Sequence, residues 1–207
     1  MKNTVMSPTN SSRYHSLTIL LHWLMVILLI AVYGSITLRE LYEKGTAMRN
    51  GLKQTHFMLG LLVFALVWVR IGLRMLFPVP PIQPEPSTWV HLAAKLGHLA
   101  LYGLMIAMPI AGWMILSGEG KPIPFFGLEL PALIEPNKAL AKNIEEVHET
   151  VGELGYVLIG VHAVAALFHH YFLQDNTLRR MLPWEQSMTV SHATIESIFL
   201  ENSEKAQ

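Results

Sequence analysis

Cysteine is absent from the 207 residues. Its absence excludes disulfides, thiolate catalysis, cysteine-held iron–sulfur clusters and covalent haem attachment through C-x-x-C-H. Charge is scarce too. Asp, Glu, Lys and Arg make up 14% of the chain, where an average soluble domain carries about 25%. Neither sign prevails, because 15 basic residues meet 15 acidic ones. Bulk charge therefore gives no ground for nucleic-acid binding. No glycine-rich phosphate loop and no nucleophile–base arrangement occurs. The E-E-V-H-E cluster at 145–149 lacks the H-E-x-x-H spacing of a zinc protease. No residue is assigned a catalytic role, and there is no internal repeat.

What the chain has is apolar length. Hydrophobic residues make up 52%, and the mean hydropathy is +0.37. Four runs, at 16–38, 54–77, 90–116 and 146–173, each reach the roughly 20 residues that an α-helix needs to cross a bilayer. The first is too long for a signal-peptide core and has no cleavage pattern after it, so it reads as a retained helix. Between the second and third lies PVPPIQPEP, five prolines in nine residues. Proline lacks the amide donor and clashes with the preceding turn, so this is an extended, semi-rigid connector. Pro109, near Gly112, is a candidate kink in the third helix. The segment 117–145 reads as an ordered loop on the membrane surface, with Phe125 and Phe126 dipping into the interface. The predicted fold is all-α, an integral membrane four-helix bundle spanning 16–184. A cytoplasmic tail (1–15) precedes it and a polar tail (185–207), with one apolar cluster at Ile195, Ile198, Phe199 and Leu200, follows.

Four spans place both termini on one side. Eight of the fifteen Lys and Arg fall on that side and seven on the other, so the count alone does not orient the chain. Arg13, Arg70, Arg74, Arg179 and Arg180 lie at helix ends on the tail side. On that basis the reading places both termini in the cytoplasm.

The histidines are concentrated. Nine of the ten lie within or at the ends of the four helices, and ionisable residues inside spans are functional candidates. His148 and His162 are fourteen residues apart. On a helix they share a face and are separated by roughly 21 Å along the axis. Gly152, Gly155 and Ile159 lie between them, mostly small residues that leave room for the edge of a flat ring. This pattern suggests two b haems stacked across the membrane. By depth, His22 pairs with His162 toward the cytoplasm, and His56 pairs with His148 toward the exterior, where Gly60 again leaves space. His98 is a rival for the inner site, with His15 weaker. His91, Lys95, His98 and Tyr102 share a face of the third helix, and His169 and His170 lie at the same level of the fourth. Such groups can hydrogen-bond and protonate a quinone carbonyl; capping the helix end is the equal alternative for His169 and His170. Arg13, Arg70 and Arg74 are candidate partners for haem propionates, or else lipid-boundary anchors.

The segments RYHSLTILLHWL, HFMLGLLVFALVWVRIGLR, PVPPIQP, LGHLALYGLMIAMPIAGW and HETVGELGYVLIGVHAVAALFHHYFLQDNTLRRMLP are those of a known family. Over roughly residues 12–184 the sequence resembles the bacterial cytochrome b561 family, four-helix di-haem membrane cytochromes. The resemblance implies axial ligands at His22, His56, His148 and His162, the same four reached from helix spacing. The likeness is strongest to the superoxide oxidase type. It implies electrons taken from superoxide on the outer side of the bacterial inner membrane and passed to ubiquinone near His98 and His169 or His170. It also implies an electropositive outer approach. Here the outer loops instead mix Arg39, Arg49 and Lys53 with Glu40, Glu43, Glu145, Glu146 and Glu149. The expected activity is thus superoxide:ubiquinone oxidoreduction through two haem b, in contact with lipid and quinone. One alternative is a cytochrome b anchor serving a separate dehydrogenase or other periplasmic donor. A haem-free transporter or scaffold is the alternative of another class.

Overall fold

The computed structural model describes residues 13–183. Most of the two terminal tails, with the apolar cluster at 195–200, lies outside the described residues. Four long helices dominate: α1 (Ser16–Leu38), α2 (Ala47–Leu76), α3 (Thr88–Gly118) and α4 (Lys138–Tyr171). All four are long and apolar enough to cross a membrane, so the expected four-helix membrane bundle is what forms. Packing runs in chain order, α1 on α2, α2 on α3 and α3 on α4. The faces turned away from the bundle are apolar. Leu154, Val157, Val161 and Val164 form a stripe along α4 that is 61–65% exposed, as a lipid-facing surface requires.

Two helices start earlier than hydropathy predicts. α2 begins at Ala47 instead of 54, and α4 at Lys138 instead of 146. The added turns are polar, so a hydropathy window cannot detect them. Capping starts them. The Thr46 hydroxyl accepts from the Arg49 amide at 3.3 Å, and the Asn137 side chain accepts from the Leu140 amide at 3.0 Å. Helix α3 continues through Pro109 without interruption.

The core is shared by three helices. Leu21, Met25 and Leu28 of α1 meet Val63 and Val67 of α2 and Met105 of α3. Lipid tails are as apolar as these side chains, so close packing holds the helices together and water exclusion contributes little. At the far end from the termini, residues 119–137 fold over the bundle. A two-stranded antiparallel hairpin, β1 (Ile123–Phe125) and β2 (Leu128–Leu130), stands within them. This corrects one expectation. Phe125 does not dip outward but packs with Ile123 against Leu61 and Leu116. Phe126, at positive φ in the turn, is 56% exposed. Hydrogen bonds tie this cap down: Trp113 Nε1 donates to the Pro131 carbonyl at 2.9 Å, and the Leu133 amide to Ser117 Oγ at 3.0 Å.

The tail side is fastened by the chain after α4. Asn176 exchanges hydrogen bonds with Gln83 of the proline connector (2.9 and 3.1 Å). Trp23 Nε1 donates to the Met181 carbonyl at 2.8 Å. Arg180, only 5% exposed, donates to the Pro80 carbonyl and lies over the Tyr14 ring. One of the tail-side cations thus serves the fold instead of sitting at a headgroup.

The Asn137 cap gives a direct test. Asn137→Ala is expected to cost about 1 kcal/mol, read as a lower melting temperature in detergent with the helical circular dichroism spectrum retained. An unchanged melting temperature would deny the cap that role.

Candidate electron-transfer site

Two cavities lie one above the other inside the bundle. The far-side cavity, about 440 Å³, is bordered by His56 of α2 and His148 of α4. The tail-side cavity, about 420 Å³, is bordered by His22 of α1 and by His98 and His162. Both lie in the range of roughly 300–1,000 Å³ usual for small-molecule pockets. His148 and His162 of α4 border different cavities because fourteen residues carry them several turns apart on one face.

The rings are paired across each cavity. His56 and His148 have centroids 6.3 Å apart, with planes at 78°. His22 and His162 are 6.4 Å apart, at 70°. His56 Nδ1 lies 3.0 Å from the Val32 carbonyl oxygen. A carbonyl only accepts, so this nitrogen carries the proton and Nε2 keeps its lone pair. His148 Nδ1 is buried with no hydrogen-bond partner.

Glycine makes room on the far side. A Cβ added at Gly60 would meet nothing within 4 Å, and at Gly112 it would touch only His148 Cε1 at 3.6 Å. Gly152 also lines this cavity. Gly155 departs from the sequence reading. Its missing side chain makes room for a tyrosine instead of a ring edge, since a Cβ there would lie 2.0 Å from Tyr33 Oη.

The remaining candidates separate. His98 and Tyr102 line the tail-side cavity, and His98 lies 5.7 Å from His162. Lys95 is exposed. His169 pairs with Asp175 at 2.5 Å, and His170 packs edge-on against Tyr171. Lys95, His169 and His170 do not line this cavity. Of the three arginines, Arg70 lines it and keeps Nη1 buried without a partner. Arg13 donates to the Leu182 carbonyl, and Arg74 is exposed on the last turn of α2. His15 caps α1 through Nδ1 and stacks on Phe77 at 3.8 Å, outside both cavities.

Some lining residues were not foreseen. Tyr33 and Tyr156 border both cavities, and Trp113 borders the far one. Tyrosines within an apolar span signal this much, because a phenol in hydrocarbon needs a partner. The far cavity also has an acidic margin. Glu145, Glu149 and Glu153, one turn apart on α4, border it together with Glu40 and Glu119. Arg39 and Lys53 are its cations, and Arg39 is paired to Glu40 at 2.7 Å.

Comparison with known proteins identifies the scaffold. The family model described as prokaryotic cytochrome b561 matches residues 13–184. The chain belongs to this family. Family membership makes the protein an integral membrane b-type cytochrome with an electron-transfer role. Cytochrome b561 homolog 1 of Escherichia coli is 35% identical over 172 residues, covering 83% of this chain and 98% of that one. The probable superoxide oxidase CybB of Yersinia pestis is 39% identical over 171 residues, covering 83% and 96%. Cytochrome b562 of Cereibacter sphaeroides is 31% identical, covering 84% and 98%.

The tail-side fastening of this cytochrome is expected to respond to acid. Burial works to raise the Asp175 carboxyl, but the Thr177 amide and the His169 side chain outweigh it and hold the group below the usual carboxylate range. A depressed folded-state value stabilises above the unfolded one and is lost as pH falls through the folded one. Asp175→Asn is therefore expected to flatten the loss of melting temperature below about pH 4, where unfolded aspartate protonates. An equally steep acid loss in the variant would exclude Asp175 as its source.

Proposed function

We propose that this chain carries electrons across the membrane between two b haems, one held by His56 and His148 and the other by His22 and His162. The observation that carries this reading is the pair of ring separations, 6.3 and 6.4 Å. Two imidazoles that would share one metal, each through a bond of about 2 Å as found for imidazole on zinc, would have ring centres roughly 6 Å apart. The near-equality of the two separations favours His22 over His98, which stands closer to His162. Bound haem supplies one-electron redox chemistry. The chain supplies the ligand nitrogens, a water-poor apolar surround and hydrogen bonds that fix the rings. The Val32 carbonyl orients His56. Arg70, whose Nη1 is buried without a partner, would offer a charge-assisted partner to a haem propionate in the tail-side cavity.

The name of the Yersinia relative suggests superoxide oxidation, and the overall reaction proposed here couples it to quinone reduction. Two superoxide anions release two electrons and become two molecules of oxygen. One ubiquinone takes those electrons with two protons. Superoxide would approach the far-side cavity, and quinone would bind beside the inner haem on the tail side, near His98 and His169. Both termini lie in the cytoplasm in this reading, and the membrane is the bacterial inner membrane.

The acidic margin of the far cavity favours a second donor. Glu145, Glu149 and Glu153 repel an anion but complement a protein with a basic docking face, as an anchor subunit for a separate dehydrogenase would need. Ionic strength separates the two donors. A superoxide-driven rate should rise with salt as repulsion is screened, whereas a rate from a basic donor protein should fall. Superoxide consumption by the purified chain, coupled to quinol formation and abolished by superoxide dismutase, supports the first. Its absence rejects it.

The haem assignment is tested by reduced-minus-oxidised spectra with haem quantitation. Wild type is expected to hold two b haems per chain. His148→Ala and His162→Ala should each lose a different one, and His98→Ala should keep both. A haem lost in His98→Ala with His22→Ala intact would transfer the inner ligand to His98, and a colourless wild type would sink the reading.

A further inference from the structure

The two cavities share one wall. The residues that line both are Leu29 and Tyr33 of α1, Met105 of α3 and Tyr156 of α4. Anything passing directly between the cavities passes these four side chains. Two of them are saturated at the point of contact. The other two are aromatic rings in tilted contact, with centroids 4.3 Å apart and planes at 52°.

The pair is held on several sides. Tyr33 Oη donates to the Gly152 carbonyl at 3.1 Å, and Tyr156 Oη shares a hydrogen bond with Thr37 Oγ1 at 3.1 Å. Gly155 leaves the seat in α4 that Tyr33 fills. Through these bonds the two tyrosines join α1 to α4. Simple space filling would be served by leucine, which brings no hydroxyl into hydrocarbon. A phenol there must find a partner, and each one has done so.

We propose that Tyr33 and Tyr156 form the electronic bridge between the two redox sites. This rests on the two-haem reading above. Electron exchange through intervening groups is faster when their unoccupied and filled orbitals lie near the donor level. π-systems meet that condition better than saturated chains. One electron leaves the outer site and arrives at the inner site. Neither ring is oxidised, and no phenol proton moves. The hydroxyl bonds and the Gly155 seat fix the rings in contact, so the coupling does not depend on a transient side-chain position.

The test compares phenylalanine with leucine at the same position, in the haem-loaded full chain in detergent. Both substitutions lose the bond to Gly152, and only leucine loses the ring. A flash-reduced aqueous ruthenium complex serves as the electron source. Exchange is followed at wavelengths assigned to each haem from the His148→Ala and His162→Ala spectra. Tyr33→Phe is expected to exchange within about a factor of two of wild type, and Tyr33→Leu an order of magnitude more slowly. Equal rates in the two variants, fast or slow, would overturn the bridge. If Tyr33→Leu loses a haem, Tyr156→Phe against Tyr156→Leu carries the same comparison with the Gly155 seat still filled. A wild type that binds one haem or none overturns the two-haem reading and the bridge with it. A two-haem wild type with equal phenylalanine and leucine rates overturns the bridge alone.

Discussion

Hydrocarbon offers no water to satisfy a polar group and no hydrophobic drive to press one helix on another. The rest of this structure answers to that constraint. The bundle is fastened by polar groups whose partners lie within the chain, at three levels. On the tail side, Asn176, Arg180 and Trp23 bind the segment after α4 to the proline connector and to α1. On the far side, Trp113 and Ser117 secure the hairpin region over α2 and α3. In the middle, Tyr33 and Tyr156 reach between α1 and α4.

Fastening at these levels leaves the spaces between them open. A bundle packed throughout with leucine would have closed on itself. Here the helices are held apart at two depths, the far-side gap faced by His56 and His148 and the tail-side gap by His22, His98 and His162. Of the six buried side-chain atoms without a hydrogen-bond partner among the described residues, two, His148 Nδ1 and Arg70 Nη1, belong to residues that border these gaps. Buried polar atoms without partners are costly, and these two lie where a cofactor with a metal centre and acidic side groups would meet them. The tyrosine wall both separates the gaps and holds α1 to α4. Structural and electronic roles thus fall on the same two residues.

The outer margin is where family likeness and this chain's own chemistry diverge. A relative named as a probable superoxide oxidase suggests an anionic substrate. Glu145, Glu149 and Glu153 place negative charge along the approach. Steering depends on the summed field at a cavity mouth, and the identity of the ligands deeper inside does not set it. Two family members can therefore share a redox core and differ in donor.

The four spans were legible in the sequence because a bilayer imposes a length and an apolar composition on any helix that crosses it, whatever its neighbours. The shared face of His148 and His162 was legible for a similar reason, since helical periodicity alone sets it. Helix starts at Ala47 and Lys138 were not, because capping by Thr46 and Asn137 acts on polar turns that hydropathy ignores. Gly155 was misread as room for a cofactor edge. Which neighbour fills a glycine's space depends on a helix more than a hundred residues away, and only tertiary packing brings Tyr33 there. The same holds for His98, Lys95, His169 and His170, which one helix level seemed to group. The sequence by itself determined the membrane fold and the periodic placement of its histidines, because both follow from local geometry. Tertiary structure alone decided which rings face each other, which polar atoms stay unpaired and what stands between the cavities, because those depend on how separate helices meet.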